Sequence, residues 1–126
     1  MTQDANTNGI PDWWEIQYFG NLSHTASEDY DHDGMNNYQE YIADTDPTDP
    51  NSNLRMAAIQ PVTGGIAVIW QGGTLATQFL QQRFSLNPTS MWMDIFTNLP
   101  PTPNPSGFTN YGLTNNTGFY RVRVTR

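Results

Sequence analysis

Residues 29–40, DYDHDGMNNYQE, carry carboxylates and a glycine at the spacing of a calcium-binding loop. Such a loop needs oxygen ligands at alternate positions, a glycine at its sharp bend and a glutamate at position twelve. The pattern specifies seven positions of the loop, namely one, three, five, six, seven, nine and twelve. In this order they are filled by Asp29, Asp31, Asp33, Gly34, Met35, Asn37 and Glu40. The spacing predicts that a Ca2+ ion, bound by these side chains and by the Met35 carbonyl, offsets the repulsion between the acids.

A second copy of the pattern lies upstream in residues 4–15, DANTNGIPDWWE. The same seven positions are filled by Asp4, Asn6, Asn8, Gly9, Ile10, Asp12 and Glu15. This copy has fewer charged ligands, so we expect it to bind a cation more weakly than residues 29–40. An acidic, solvated turn is the alternative interpretation of a single match. Two complete matches, 25 residues apart, count against it and predict two calcium ions.

A short helix is predicted at the end of each loop. Pro11 favours the first position of a helix that continues through residues 12–19, and Gly20 favours its stop. Trp14 and Tyr18 are four residues apart and share a face of this helix. In the second helix, the apolar side is expected to consist of Tyr38, Tyr41 and Ile42. Helices of about two turns are marginal alone in water, so they must be stabilised by each other, the rest of the chain and the ions.

The acidic tail of this region, residues 44–50, is open to two interpretations. Asp44, Asp46 and Asp49 could supply a third cation site or outer ligands. Alternatively, the prolines between them make the tail a stiffened, solvated linker.

Charge divides the chain near residue 53. Eleven of the twelve acidic residues lie in residues 1–53, whereas all five arginines lie beyond, and there is no lysine. This contrast predicts two domains, residues 1–53 and 54–126. The acidic part repels nucleic acid and anionic membrane surfaces, and no run of about 18 apolar residues suggests membrane insertion. The chain has no cysteine, so disulfides do not stabilise it.

Residues 54–126 show short strands separated by turns rich in glycine, proline and asparagine. Strands are predicted at residues 54–60, 65–71, within 74–86, at 91–97 and at 118–125. Pro61 is expected to end the first of them. In the last, Tyr120 and Val122 alternate with arginines, a period of two that leaves the arginines facing solvent. Five or six strands at this spacing predict a small antiparallel β-sandwich, and with the helices an α+β chain.

Large aromatic residues in the predicted sandwich have two interpretations. They are Trp70, Trp92, Phe96 and Phe108. They could form a platform on which a polysaccharide stacks. Alternatively they build the core, which a sandwich of this size needs.

The runs DANTNGIPDWWEIQYFG and DYDHDGMNNYQEYIADTDPTDPNS together resemble the bacterial thrombospondin type 3-like calcium repeat. They are also similar, in their paired EF-hand-like loop and helix, to dockerins, calcium modules that bind cohesin domains. The V-x-W-Q and FYRVRV segments resemble fibronectin III-like or Ig-like modules. These resemblances imply a secreted, extracellular or cell-surface bacterial protein whose first region is a spacer or docking module. Residues 1–4 do not begin a secretory signal, so this location rests on the resemblance alone.

Catalysis is not indicated by any motif. Glu15 and Glu40 could be the carboxylate pair of a glycosidase, but their places in the two loops already account for them. No nucleophile in a recognisable context, phosphate-binding glycine loop or zinc-type histidine cluster is present. We therefore expect a non-catalytic, extracellular structural or anchoring module that Ca2+ rigidifies and that could bind copies of itself. A calcium-dependent protein docking module and a carbohydrate-binding module are the alternatives.

Overall fold

A computed structural model describes residues 2–111 and 118–126, which are mostly β-structure with two short helices. The elements, in chain order, are α1 (Asp12–Phe19), α2 (Asn37–Ala43), β1 (Arg55–Val62), β2 (Gly65–Gln71), β3 (Thr77–Arg83), β4 (Met93–Asn98), β5 (Ser106–Tyr111) and β6 (Phe119–Thr125). The strands form two antiparallel sheets of three, in the orders β1-β2-β5 and β4-β3-β6. Within the described residues, neither helix is long and apolar enough to cross a membrane.

Both helices lie where the sequence predicts them, except that Pro11 is the extended residue before α1 rather than its first helical residue, and local capping explains their ends. Gly20 ends α1 with a φ of 74°, a left-handed conformation that glycine adopts without strain. At the start of α2, the Asn36 side chain accepts from the Gln39 N–H at 2.9 Å, and the Gln39 side chain accepts from the Asn36 N–H at 2.9 Å. This reciprocal pair is a capping box that satisfies two N–H groups at the helix start.

The buried side of α2 differs from the prediction. Its fully buried residues are Asn37, Glu40 and Ala43, whereas Tyr38 is 44% exposed. The helix therefore turns two of its polar side chains inward. Tyr38 instead lies over Gly9 of the first loop, where a Cβ on Gly9 would be 3.3 Å from the tyrosine ring. The two helices also meet through Trp14 and Tyr41, whose ring centroids are 5.9 Å apart.

The strands differ from the prediction at two places. Strand β1 does not end at Pro61; it continues to Val62, with Pro61 opposite Ile66. Proline is tolerated there because β1 is an edge strand, so its missing N–H breaks no ladder with a second neighbour. Strand β5 lies just after the proline-rich stretch and was not predicted, because glycine and asparagine within it have low strand propensity.

Side chains from both sheets build one shared core. Val68 and Trp70 of β2 and Leu80 of β3 are completely buried. Phe96 and Phe108 pack against this cluster, with their stacked ring centroids 4.8 Å apart. Three of the four aromatic residues considered for a sugar platform therefore belong to the core.

The fourth aromatic residue, Trp92, is partly exposed on the outer side of the second sheet. Its ring is covered by the Arg121 guanidinium, which lies 4.4 Å from the ring centroid. Arg83 lies over the same ring at 5.8 Å. These cation–π contacts compete with a sugar for stacking on the Trp92 ring.

The end of α2 packs tightly against the β2–β3 connection at Gly73. A Cβ built on Gly73 would lie 2.1 Å from the Asp44 carbonyl oxygen and 2.4 Å from the Ala43 carbonyl oxygen. These are backbone atoms and cannot move aside as a flexible side chain would. Gly73 is thus required by the close approach of two chain segments.

Changing Gly73→Ala should destabilise the protein by about 2 kcal/mol or more, because either α2 or the β2–β3 connection must shift. Thermal unfolding measures the effect. Gly107→Ala is the matched control, since a Cβ there would make an ordinary contact, 3.5 Å from the Val68 carbonyl oxygen. Equal melting temperatures for the two variants would show that α2 does not pack on Gly73 in solution.

Candidate metal centre

Residues 29–40, here named loop II, fold around the first aspartate of the pattern. The Asp29 carboxylate accepts the N–H of Asp33 at 3.1 Å and of Gly34 at 3.0 Å. The Met35 N–H in turn donates to the Asp33 carboxylate at 2.8 Å. Gly34 has a φ of 99°, a left-handed bend that strongly favours glycine. The predicted bend is therefore where the pattern places it.

Residues 4–15, here named loop I, repeat the same hydrogen bonds. The Asp4 carboxylate accepts the N–H of Asn8 at 3.1 Å and of Gly9 at 2.9 Å. The Ile10 N–H donates to the Asn8 side-chain oxygen at 2.8 Å. The two complete sequence matches thus adopt one local backbone structure, and equivalent positions can be compared directly.

The three aspartates of loop II converge on one point. Asp29, Asp31 and Asp33 each offer a carboxylate oxygen, and these oxygens all lie within 4.8 Å of one another. Burial raises the pKa of Asp31, and the neighbouring Asp33 charge raises it further. Like charges held this close repel one another unless a cation lies among them.

Four oxygens of loop II are buried without a hydrogen-bond partner among the described residues. They are Asp31 Oδ2, Asp33 Oδ2, Asn37 Oδ1 and Glu40 Oε2. Asn37 is only 1% exposed, and Glu40 is 0% exposed. Buried acceptors without a donor each cost roughly 1–3 kcal/mol. These atoms belong to positions three, five, nine and twelve of the loop, so their places match the donor set of a cation.

Glu40 carries the strongest electrostatic signal of the centre. Its pKa is raised to about 8, first by burial and then by the charges of Asp31 and Asp33. Its only side-chain hydrogen bond within the described residues joins Oε1 to the Thr45 hydroxyl at 3.1 Å. A cation beside Glu40 would reverse this shift, because it favours the ionised carboxylate.

Loop I satisfies its own glutamate. Glu15 is 1% exposed, and its Oε1 accepts from the side-chain amides of Asn6 at 3.2 Å and Asn8 at 3.0 Å. The Asp12 carboxylate accepts the Ala5 N–H at 2.8 Å. In loop I, the neutral side chains of Asn6 and Asn8 therefore stand at the positions that Asp31 and Asp33 fill in loop II. Loop I can close without a cation, whereas loop II leaves oxygens unpaired.

The three acids of the tail do not come together. Asp46 accepts the Thr48 N–H at 2.9 Å, and Asp49 accepts the Asn51 N–H at 3.0 Å, so each forms a local turn. Asp44 instead binds the β2–β3 connection through its carboxylate. Within residues 2–111 and 118–126, the one group of three acids that could share an ion is the loop II cluster.

Two supporting residues were missed by the sequence analysis. Thr45 is 2% exposed and holds Glu40 through its hydroxyl, a contact for which five residues of separation give no recognised signal. His24 pairs with Glu28 at 2.9 Å, just before loop II. These two residues lie in a loop rather than a helix, so their spacing of four residues gave no recognised signal for the pair.

Searches for similar proteins found no matching family model, no matching curated protein and no matching solved structure. Function must therefore be argued from the chemistry of the centre. Its donors are all oxygens, from carboxylates and an amide, which suit hard cations such as Ca2+ and Mg2+. None of the predicted ligands is a histidine, and the chain has no cysteine, so softer metals are disfavoured.

Proposed function

We propose that the chain is a non-catalytic calcium-binding structural module, with loop II as its principal site. The observation that carries the proposal is the set of four buried oxygens in loop II that lack partners among the described residues. Asp29 and the Met35 carbonyl complete a donor set of about the six to eight oxygens that Ca2+ prefers. Mg2+ demands about six ligands in strict octahedral geometry, which a loop of this kind does not favour.

Loop I is the second and weaker calcium site of this proposal. Its shared hydrogen-bond pattern supports the same ligand positions, Asp4, Asn6, Asn8, Ile10, Asp12 and Glu15. The amide contacts to Glu15 must be exchanged for a cation, which lowers the net gain on binding. We infer that the pair is EF-hand-like and corresponds to a thrombospondin type 3-like repeat.

The remaining part of the proposal concerns the module as a whole. We infer that residues 1–53 form the calcium domain and that the two sheets of residues 54–126 form a fibronectin III-like or Ig-like β-sandwich. We infer the extracellular location from this resemblance alone. The carbohydrate-binding alternative is weakened because Trp70, Phe96 and Phe108 pack in the core and Arg121 covers Trp92.

Calorimetric titration of decalcified protein with calcium tests the proposal. We expect two binding events, and Asp31→Asn should weaken the tighter one about tenfold because it removes a ligand charge. The reciprocal variant Asn6→Asp should strengthen the weaker event, since it gives loop I the residue that loop II has at position three.

Absence of binding heat at millimolar calcium would contradict the proposal. So would a tight event that Asp31→Asn leaves unchanged while Asn6→Asp alters it. A magnesium titration under the same conditions is the control for cation selectivity, and it should give clearly weaker binding.

A further inference from the structure

Helix α2 joins the buried ligand Glu40 to the sheets in less than two turns. Asp44 caps the helix with a φ of 60° and a ψ of 40°, and its N–H donates to the Tyr41 carbonyl at 3.3 Å. Thr45 follows and bonds Glu40 twice, through its N–H to the Glu40 carbonyl at 3.0 Å and through its hydroxyl to the carboxylate at 3.1 Å. A shift of Glu40 must therefore move the cap as well.

The Asp44 side chain holds two distant parts of the chain at once. Its Oδ2 accepts the N–H of Thr74 at 3.1 Å and of Leu75 at 2.9 Å, both in the β2–β3 connection. Its Oδ1 lies 3.2 Å from Arg126 Nη1, and both side chains of this ion pair are only 16% exposed. Ion pairs shielded from water in this way are screened less than surface pairs.

Arg126, which directly follows β6, also contacts both helices. Its Nη1 donates to the Tyr41 carbonyl at 2.6 Å. Its guanidinium lies 4.8 Å from the Tyr41 ring centroid and 5.7 Å from the Trp13 ring centroid. Asp44 and Arg126, named here the α2 clamp, therefore connect the helices with both sheets.

Apolar packing between α2 and the sheets is incomplete. A cleft of about 360 Å3 lies between them, lined by Tyr38, Ile42 and Val124 among others. Beside it, the Leu54 N–H donates to the Met35 sulfur at 3.3 Å. The junction between α2 and the sheets therefore combines the close backbone approach at Gly73 with the polar contacts of the clamp.

We propose that the α2 clamp couples cation binding in loop II to the ordering of the two sheets, with Asp44 and Arg126 as positioning residues. The inference rests on the proposed function, because it takes Glu40 as a cation ligand. A bound cation holds the Glu40 side chain in place, and the bonds between Glu40 and Thr45 then hold the end of α2. Asp44 and Arg126 connect this helix end to the β2–β3 connection and β6, so these segments become ordered as well. A coupling free energy of this kind is reciprocal, so an intact clamp also tightens cation binding.

Amide hydrogen exchange with and without calcium tests the coupling in the whole chain. In the wild type, calcium should slow exchange in α2 and also in β3 and β6, by about tenfold or more. Arg126→Gln should keep the protection of α2 but lose most of the protection of the strands. Arg126→Lys should restore part of it, because the lysine can still pair with Asp44.

Asp44→Asn is the second variant, since asparagine tolerates the left-handed cap and can still accept an N–H. It should reduce the coupling about as much as Arg126→Gln. Asp49→Asn is its control, because Asp49 is exposed and, among the residues that the structure describes, its side chain bonds only within its own turn. It should leave calcium protection of the strands unchanged.

The outcomes separate the two proposals. Calcium binding that protects loop II and α2 but not the strands of the wild type would overturn the coupling and leave the calcium site intact. Coupling that survives in both clamp variants would also overturn it. Absence of calcium binding by calorimetry would instead refute the calcium site itself.

Discussion

Saturating calcium should raise the melting temperature of the wild type by about 10 °C over the value in excess chelator. A cation that binds only the folded state stabilises it by about 2.7 kcal/mol when its free concentration is 100 times the dissociation constant. For a chain of 126 residues, each kcal/mol moves the melting temperature by several degrees. The gain is large because the metal-free loop II holds repelling carboxylates and buried oxygens that have no partner in the described part of the chain.

Differential scanning calorimetry measures this effect, and two controls make it specific. The chain has a formal charge of −7, so any salt relieves part of its self-repulsion. Sodium chloride at matched ionic strength should therefore give a much smaller rise than calcium. Asp31→Asn should lose about half of the calcium-dependent rise. Identical melting curves in calcium and in chelator would contradict a structural role for the cation.

Local structure in the first 53 residues could be predicted from the sequence because each interaction spans few residues. The bond from Gly34 to Asp29 crosses five residues, and Gly20 ends α1 through its own backbone preference. Turns and helix caps of this kind depend on residue type and on short spacing along the chain. Both helices and both loop bends were therefore found at the correct positions.

Contacts between distant residues could not be predicted in the same way. Asp44 looked like part of an acidic linker, yet its carboxylate binds N–H groups 30 and 31 residues further along. Arg126 reaches a carbonyl 85 residues away. Sequence periodicity does not indicate which of such distant segments pair. The tail therefore suited a third cation site as well as it suited a solvated linker. The inward turn of Glu40 was predictable only through its place in the loop pattern.

Glu40→Gln should change the stability in opposite directions with and without calcium. In chelator at pH 8, the variant should be more stable than the wild type by about 1–2 kcal/mol, because it removes a buried charge that burial and two aspartates disfavour. In saturating calcium it should be the less stable protein, because it loses the ligand that closes the shell at position twelve. Thermal unfolding of both proteins in chelator and in saturating calcium measures this reversal in their order of stability.

The pH dependence of the metal-free protein follows from the same residue. The pKa of Glu40 is about 8 in the folded chain and about 4.5 in its ordinary state, so the folded form binds more protons between these values. The stability of the metal-free wild type should therefore fall as the pH rises from about 5 to 8. Glu40→Gln should lack this part of the slope. With calcium bound the trend should reverse, since protons compete with the cation for the carboxylate.

Loop I provides a control variant, Glu15→Gln, whose expected effect on metal-free stability is opposite to that of Glu40→Gln. Glu15 already accepts side-chain amides from Asn6 and Asn8, so a glutamine there would lose an acceptor and set its own NH2 against theirs. Glu15→Gln should therefore destabilise the metal-free protein. At Glu40, the new amide is neutral, so the charges of Asp31 and Asp33 that raise the pKa of Glu40 no longer oppose the side chain. If both variants shifted metal-free stability in the same direction, the difference between a self-satisfied loop and a cation-dependent one would be disproved.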